Sequence, residues 1–147
     1  MILSQTAVYA IKAVLYLAES EGTDLVRVDD VASALGVPRN YLSKILHTLA
    51  RAGLLSSTRG PHGGFRLAVD AADLTLVGVV ELFEEVRLEP GCMLGRGRCD
   101  AVDPCAVHAR WNEASAAMRS FFQETTVRDL ASRADGTPKT SYQHDDS

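Results

Sequence analysis

Between Ser4 and Glu19 the apolar residues Ala7, Ile11, Val14, Leu15 and Ala18 return every three or four positions. That spacing lines one face of an α-helix, and Glu21 and Gly22 mark where it stops. The stretch "DVASALG" predicts a second, short helix, capped by Asp29 or Asp30 and closed by Gly36. Pro38 then opens a third, "PRNYLSKILHTLARAG", which runs to Gly53. Two helices therefore meet at a tight turn around Gly36 and Val37. Within the third helix Tyr41, Leu42, Ile45, Leu46 and Leu49 make a single apolar stripe. The pattern next changes to "LLSSTRG", a turn "PHGG" and "FRLAV", two short strands around a glycine-rich tip. Further along, Val107, Trp111, Ala114, Met118, Phe121 and Phe122 form another helical stripe. The expected fold is mainly α with a small β-hairpin wing: a winged helix-turn-helix followed by a long C-terminal helix.

Composition allows one such unit. At 147 residues, 46% of them hydrophobic and 23% charged, the chain can bury one core but not comfortably two. Its N-terminal stretch carries Lys12 in the middle and has neither a basic leader nor a small-residue cleavage site, so no signal peptide is expected. Apolar runs are too short or too interrupted to cross a bilayer. A cytoplasmic protein with no membrane partner is expected.

Net charge changes the picture once it is divided along the chain. The total of −4 argues against a nucleic-acid partner. Residues 31–69, however, hold Arg39, Lys44, Arg51, Arg59 and Arg66 and no acid, whereas residues 70–147 hold fourteen acids against eight bases. In the third helix the apolar stripe leaves Arg39, Asn40, Ser43, Lys44 and His47 on or near the opposite side. Such a face, free of acids and rich in donors, suits the major groove, where base edges offer acceptors and methyl groups and phosphates flank them. Arg59 and Arg66 flank the hairpin tip, with Gly60, His62, Gly63 and Gly64 within it. An arginine there fits a narrow minor groove, and glycines let the backbone come close to phosphate. A solvated basic face beside an ordinary turn is the plainer alternative. Helix, glycine turn, basic helix and basic wing in that order favour double-stranded DNA.

The segment "GCMLGRGRCDAVDPCAVHARW", residues 91–111, holds every cysteine of the chain: Cys92, Cys99 and Cys105. His108 follows the last of them after two residues. In a reducing compartment an odd, clustered set of thiols reads as metal or redox ligands rather than disulfides. Zinc sites usually start from a C-x2-4-C pair, and the wider spacing here, across a loop with Gly95 and Gly97, suits an iron-sulfur cluster better. Structural zinc or a thiol-based sensor is the alternative. Pro104 is expected to open a helix that puts Cys105 and His108 on one face. His108 is then either a fourth ligand or an exposed histidine near a helix start. The chain shows no C-x-x-C, no nucleotide motif and no paired carboxylates in a plausible pocket, so an enzyme is not expected.

Taken together, the opening "MILSQTAVYAIKAVLYLA", the block "YLSKILHTLARAGLLSSTRGPHGGFRLA", the three-cysteine segment and "FFQETTVRDL" resemble the Rrf2 family of bacterial winged-helix transcriptional regulators, over residues 1 to about 133. The resemblance implies that residues 38–52 form the recognition helix, with Asn40, Ser43, Lys44 and Arg59 as DNA contacts. It implies a cluster on Cys92, Cys99, Cys105 and His108, as in the cluster-assembly regulators. Nitric-oxide sensors of the family in some cases draw a carboxylate ligand from the partner's first helix, and that place here holds Thr6, Ala7 and Val8. The resemblance therefore favours 2Fe-2S over 4Fe-4S and leaves the larger cluster as the alternative. Implied too are a homodimer joined through the Trp111 helix and a pseudo-palindromic operator. The expected layout is residues 1–85 as the DNA-binding domain, 86–105 as the cluster loop, 106–133 as the dimerisation helix with a short terminal helix, and 134–147 as a disordered polar tail.

Overall fold

The structure is a computed structural model and describes residues 3–20, 25–84, 94 and 104–131. Helix α1, Gln5–Glu19, starts at Ser4, whose side chain accepts from the Ala7 N–H. This satisfies one of the donors that the first turn of a helix leaves open. Ala7, Ala10, Ala13 and Val14 on α1 are completely buried, so neighbouring elements approach its backbone closely. Helix α2 spans Val28–Leu35. It begins before the predicted caps: Arg27 is the N-cap, and Asp29 and Asp30 lie in the first turn, where carboxylates favour the positive end of the helix dipole without capping it. Gly36 ends it in the left-handed conformation at φ 64°. The Gly36 and Val37 N–H groups bond back to the Ser33 and Ala32 carbonyls, and buried Val37 then turns the chain into the next helix.

Helix α3, Arg39–Arg51, lays Leu42, Ile45, Leu46 and Leu49 into the core. Strands β1, Leu55–Thr58, and β2, Gly64–Leu67, pair antiparallel with Leu55 opposite Leu67 and Thr58 opposite Gly64. Val26 extends this pairing: its N–H and carbonyl both bond Phe65, each at 2.8 Å. The hairpin is thereby fixed to the segment that leads into α2.

Helix α4 is Leu76–Val80, α5 is His108–Glu124 and α6 is Val127–Ala131. Thr75 caps α4 through its hydroxyl, and its neighbours are stitched to the end of α5: Leu76 N–H bonds the Thr125 carbonyl at 2.9 Å, and Val127 N–H bonds Leu74 at 2.8 Å. Val127 is completely buried, and α6 packs on α1. Residues 125–131 thus close the same core as the winged-helix elements. Leu42, Leu46, Leu49, Val14, Val31, Val79 and Val80 are its other fully buried large side chains. Among the described residues no polar or charged residue is buried. The two-strand hairpin on an otherwise helical body is the expected fold class.

One boundary differs from expectation. α5 does not open at Pro104. Residues 106 and 107 form a turn, Val107 is the N-cap and His108 the first helical residue, with its N–H on the Cys105 carbonyl at 3.1 Å. Most of residues 86–105 and all of 134–147, including Cys92 and Cys99, lie outside the described residues.

Candidate nucleic-acid interface and cysteine segment

Helix α3 divides as its sequence pattern requires. Leu42, Ile45, Leu46 and Leu49 are buried, Arg39, Asn40, Lys44 and His47 are exposed, and Ser43 is half-exposed between them. The helix carries no acid. Tyr41 is tied down: its hydroxyl hydrogen-bonds that of Thr6, and its ring meets Tyr9 edge-on at 5.9 Å. α3 is thereby held against α1 by a polar contact as well as by its apolar stripe.

His47 and Arg39 are not simple solvent-facing groups. The His47 ring packs edge-to-face on Phe65 of β2, with centroids 5.4 Å apart, linking the helix to the wing. Arg39 Nε donates to Asp29 Oδ1 on α2 at 2.6 Å. Asp29 was read from the sequence only as a helix cap. A partner ten residues away across the turn leaves no periodic signal in the chain.

At the wing, Arg59, Gly60, Pro61, His62 and Arg66 are all exposed. Neither ion pair found among the described residues uses Arg59 or Lys44. The wing glycines fall into two kinds. Gly60 has φ 106°, a conformation that favours glycine, and open space where a Cβ would stand. A Cβ on Gly63 would come within 2.1 Å of the Thr58 carbonyl oxygen, and one on Gly64 within 2.5 Å of that of Val26. Those two glycines are required by the chain's own close packing, a reason their place in the sequence does not reveal.

Of the four cysteine-segment residues, Cys105 and His108 are described. Both are half-buried and stand on the turn that enters α5. The Asn112 side-chain nitrogen lies 3.0 Å from His108 Nε2, one turn along α5. A thiolate sulfur and an imidazole nitrogen on one turn are chemically suited to iron-sulfur clusters and to zinc alike. Among the described residues no group of three or more metal-ligating side chains is gathered. The second half of α5 is apolar on its outer face: Met118 is 39% and Phe121 51% exposed, while Phe122 packs inward on Ala7, Leu76 and Val80.

Helix, turn, acid-free helix and exposed hairpin, in that order on one core, define a winged helix-turn-helix protein of the DNA-binding class. The chain belongs to the Rrf2 family: residues 3–133 match the model of that family, described as an iron-dependent transcriptional regulator. It is therefore a transcriptional regulator of the Rrf2 type and not an enzyme. An HTH-type transcriptional regulator of Aquifex aeolicus is 37% identical over 132 residues, 88% of this chain and 91% of that relative. The HTH-type transcriptional regulator IscR of Klebsiella pneumoniae is 30% identical over 136 residues, 92% of this chain and 83% of the relative. Among solved structures, CymR, the global cysteine regulator of B. subtilis, has the same fold, with a TM-score of 0.75 at 22% identity over 88% of this chain and 95% of that one. The oxidized form of Staphylococcus aureus CymR superposes with a TM-score of 0.71 at 26% identity, over 92% and 99% of the two chains. No helix among the described residues is long and apolar enough to cross a membrane.

Proposed function

We propose that this regulator works in the cytoplasm as a homodimer, binds a pseudo-palindromic operator through α3 and the wing, and holds an iron-sulfur cluster, 2Fe-2S, on Cys92, Cys99, Cys105 and His108 that sets its affinity for DNA. The observation that carries the DNA half is the face of exposed Asn40 and Lys44 and half-exposed Ser43 on an acid-free helix, beside the exposed Arg59, Gly60 and His62 of the wing. His47 joins that surface while bracing the wing through Phe65. Support for the cluster comes from the donor set, three cysteines and a histidine within seventeen residues, in a family described as iron-dependent. When bound, the cluster would supply a centre whose oxidation state or loss changes the order of the segment that holds it. That segment joins α4 to α5, so its ordering can bias how the two recognition helices of a dimer are spaced.

The test is anaerobic isolation followed by visible absorption, Mössbauer spectroscopy, and iron and sulfide analysis. Cys92→Ala, Cys99→Ala or Cys105→Ala is each expected to abolish the visible absorption and alter operator affinity, and His108→Ala to leave a weakened or spectrally shifted cluster. A second reading is thiol-based or structural-zinc regulation, and its thiol-based form is favoured by the likeness to CymR, one structure of which is an oxidized form. A colourless protein with stoichiometric zinc, or one whose DNA affinity follows thiol oxidation alone, would establish it instead.

A further inference from the structure

The ion pair between α2 and α3 carries one step more. Resting on the assignment of α3 to the major groove, we infer that Arg39 reads a guanine in each operator half-site and that Asp29 is the positioning residue that aims it. Arg39 is the first residue of α3, at the end of a recognition helix that contacts base edges in helix-turn-helix complexes. Its side chain is 61% exposed and that of Asp29 59%, so the pair stands at the surface rather than in the core. An exposed ion pair contributes little to stability. What it does is remove rotamer freedom from a long side chain. The bond uses Nε alone, donating to Asp29 Oδ1 at 2.6 Å. Both terminal amino groups keep their donors, and these form the end-on fork that matches O6 and N7 of guanine.

Asp29 is not needed for the helix dipole of α2, because Asp30 occupies the same first turn. Near phosphates its charge opposes binding to any sequence, so its effect on DNA is selective: it disfavours duplex in general and favours the arginine's matched base.

The experiment is selection of binding sites from a randomised duplex library by the full-length protein as isolated anaerobically, with the variants Asp29→Ala, Asp29→Asn, Arg39→Ala, Arg39→Lys and Lys44→Ala. Wild type is expected to enrich one guanine per half-site. Arg39→Ala and Arg39→Lys should lose that preference. Asp29→Ala and Asp29→Asn should reduce it about tenfold while raising affinity for unrelated DNA, a fold-change within what one bidentate contact discriminates. Lys44→Ala should weaken all sequences and leave the guanine preference intact. Circular dichroism of the Asp29 variants separates an aiming defect from a folding defect, and Asp29→Asn keeps the side-chain shape if the alanine variant does not fold. A guanine preference that persists without Asp29, or an Arg39→Ala loss spread evenly over all sequences, overturns the inference. If Arg39→Ala, Lys44→Ala and Arg59→Ala all leave DNA binding unchanged, the assignment of α3 and the wing to DNA fails with it.

Discussion

Arg59 and Lys44 are both exposed cations outside the ion pairs found among the described residues, yet their places give them different work. Arg59 stands exposed beside Gly60 at the wing tip, a place from which, under the proposed reading, its guanidinium would enter a groove whose width depends on sequence. Arg59→Ala is expected to weaken operator binding by about 1–3 kcal/mol, with little change on unrelated duplex. Lys44, one turn into α3, is exposed beside Ser43, a place suited to contact with phosphate under the proposed reading. Lys44→Ala should lower affinity for every sequence and reduce the salt slope by about one counterion. Fluorescence-anisotropy titrations at several salt concentrations, on operator and scrambled DNA, check both. Equal losses on the two DNAs for Arg59→Ala would remove it from groove reading. At this scale the sequence named the exposed residues but not their intramolecular partners. Asp29 and Phe65 reach Arg39 and His47 only because α2 and β2 are folded against α3.

The short helix α6 shows how an element of five residues is held. Thr126 and Asp129 cap it reciprocally: the Thr126 N–H donates to Asp129 Oδ2 at 2.8 Å, and the Asp129 N–H to Thr126 Oγ1 at 3.2 Å. The Thr126 backbone donor, and after it the hydroxyl, hold the Asp129 carboxyl below its ordinary value. A depressed carboxyl contributes stability that is complete above its unfolded value and is lost as pH falls through its lower folded value. Acidification below about pH 4 should therefore loosen α6, and Asp129→Asn should flatten that part of the pH dependence of the urea midpoint. An unchanged acid limb in Asp129→Asn would show that the cap does not report on global stability. The motif "TVRD" was legible in the chain but lay outside the hydrophobic pattern. Arg128, bonded to Asp70 at 2.7 Å, and buried Val127 show that this helix belongs to the winged-helix core.

For the whole molecule, the outer face of α5 is the surface on which the proposed homodimer rests. Met118 and Phe121 are exposed on a helix whose inward contacts rest mainly on Phe122, so burial of that face requires a second surface. Met118→Asp is expected to yield a monomer or an insoluble chain, because the carboxylate would be buried without a partner. Sedimentation velocity reads the outcome, and a stable dimer from this variant would place the interface elsewhere. A monomer should also bind a single half-site without the preference for two-fold related pairs.

The one-dimensional pattern was sufficient for the helix-turn-helix, the hairpin and the division of α3 into a buried and an exposed side. Each of these follows from local periodicity, from Gly36 at a left-handed cap and from Pro38 ahead of a helix. Periodicity also marked the face of α5, though not where that helix starts. The Cys105 to His108 turn replaces the expected helical turn after Pro104, since an N-terminal proline permits a helix without compelling one. The roles of Gly63 and Gly64 were decided by tertiary structure alone. Glycine is chosen there by the closeness of Thr58 and Val26, a contact between segments that the chain brings together only on folding. The same holds for the Asp29 to Arg39 bond and for Val127 in the core. Local propensity acts over a few residues and is written in order along the sequence, whereas contacts across ten or a hundred residues depend on which faces the packed core sets side by side.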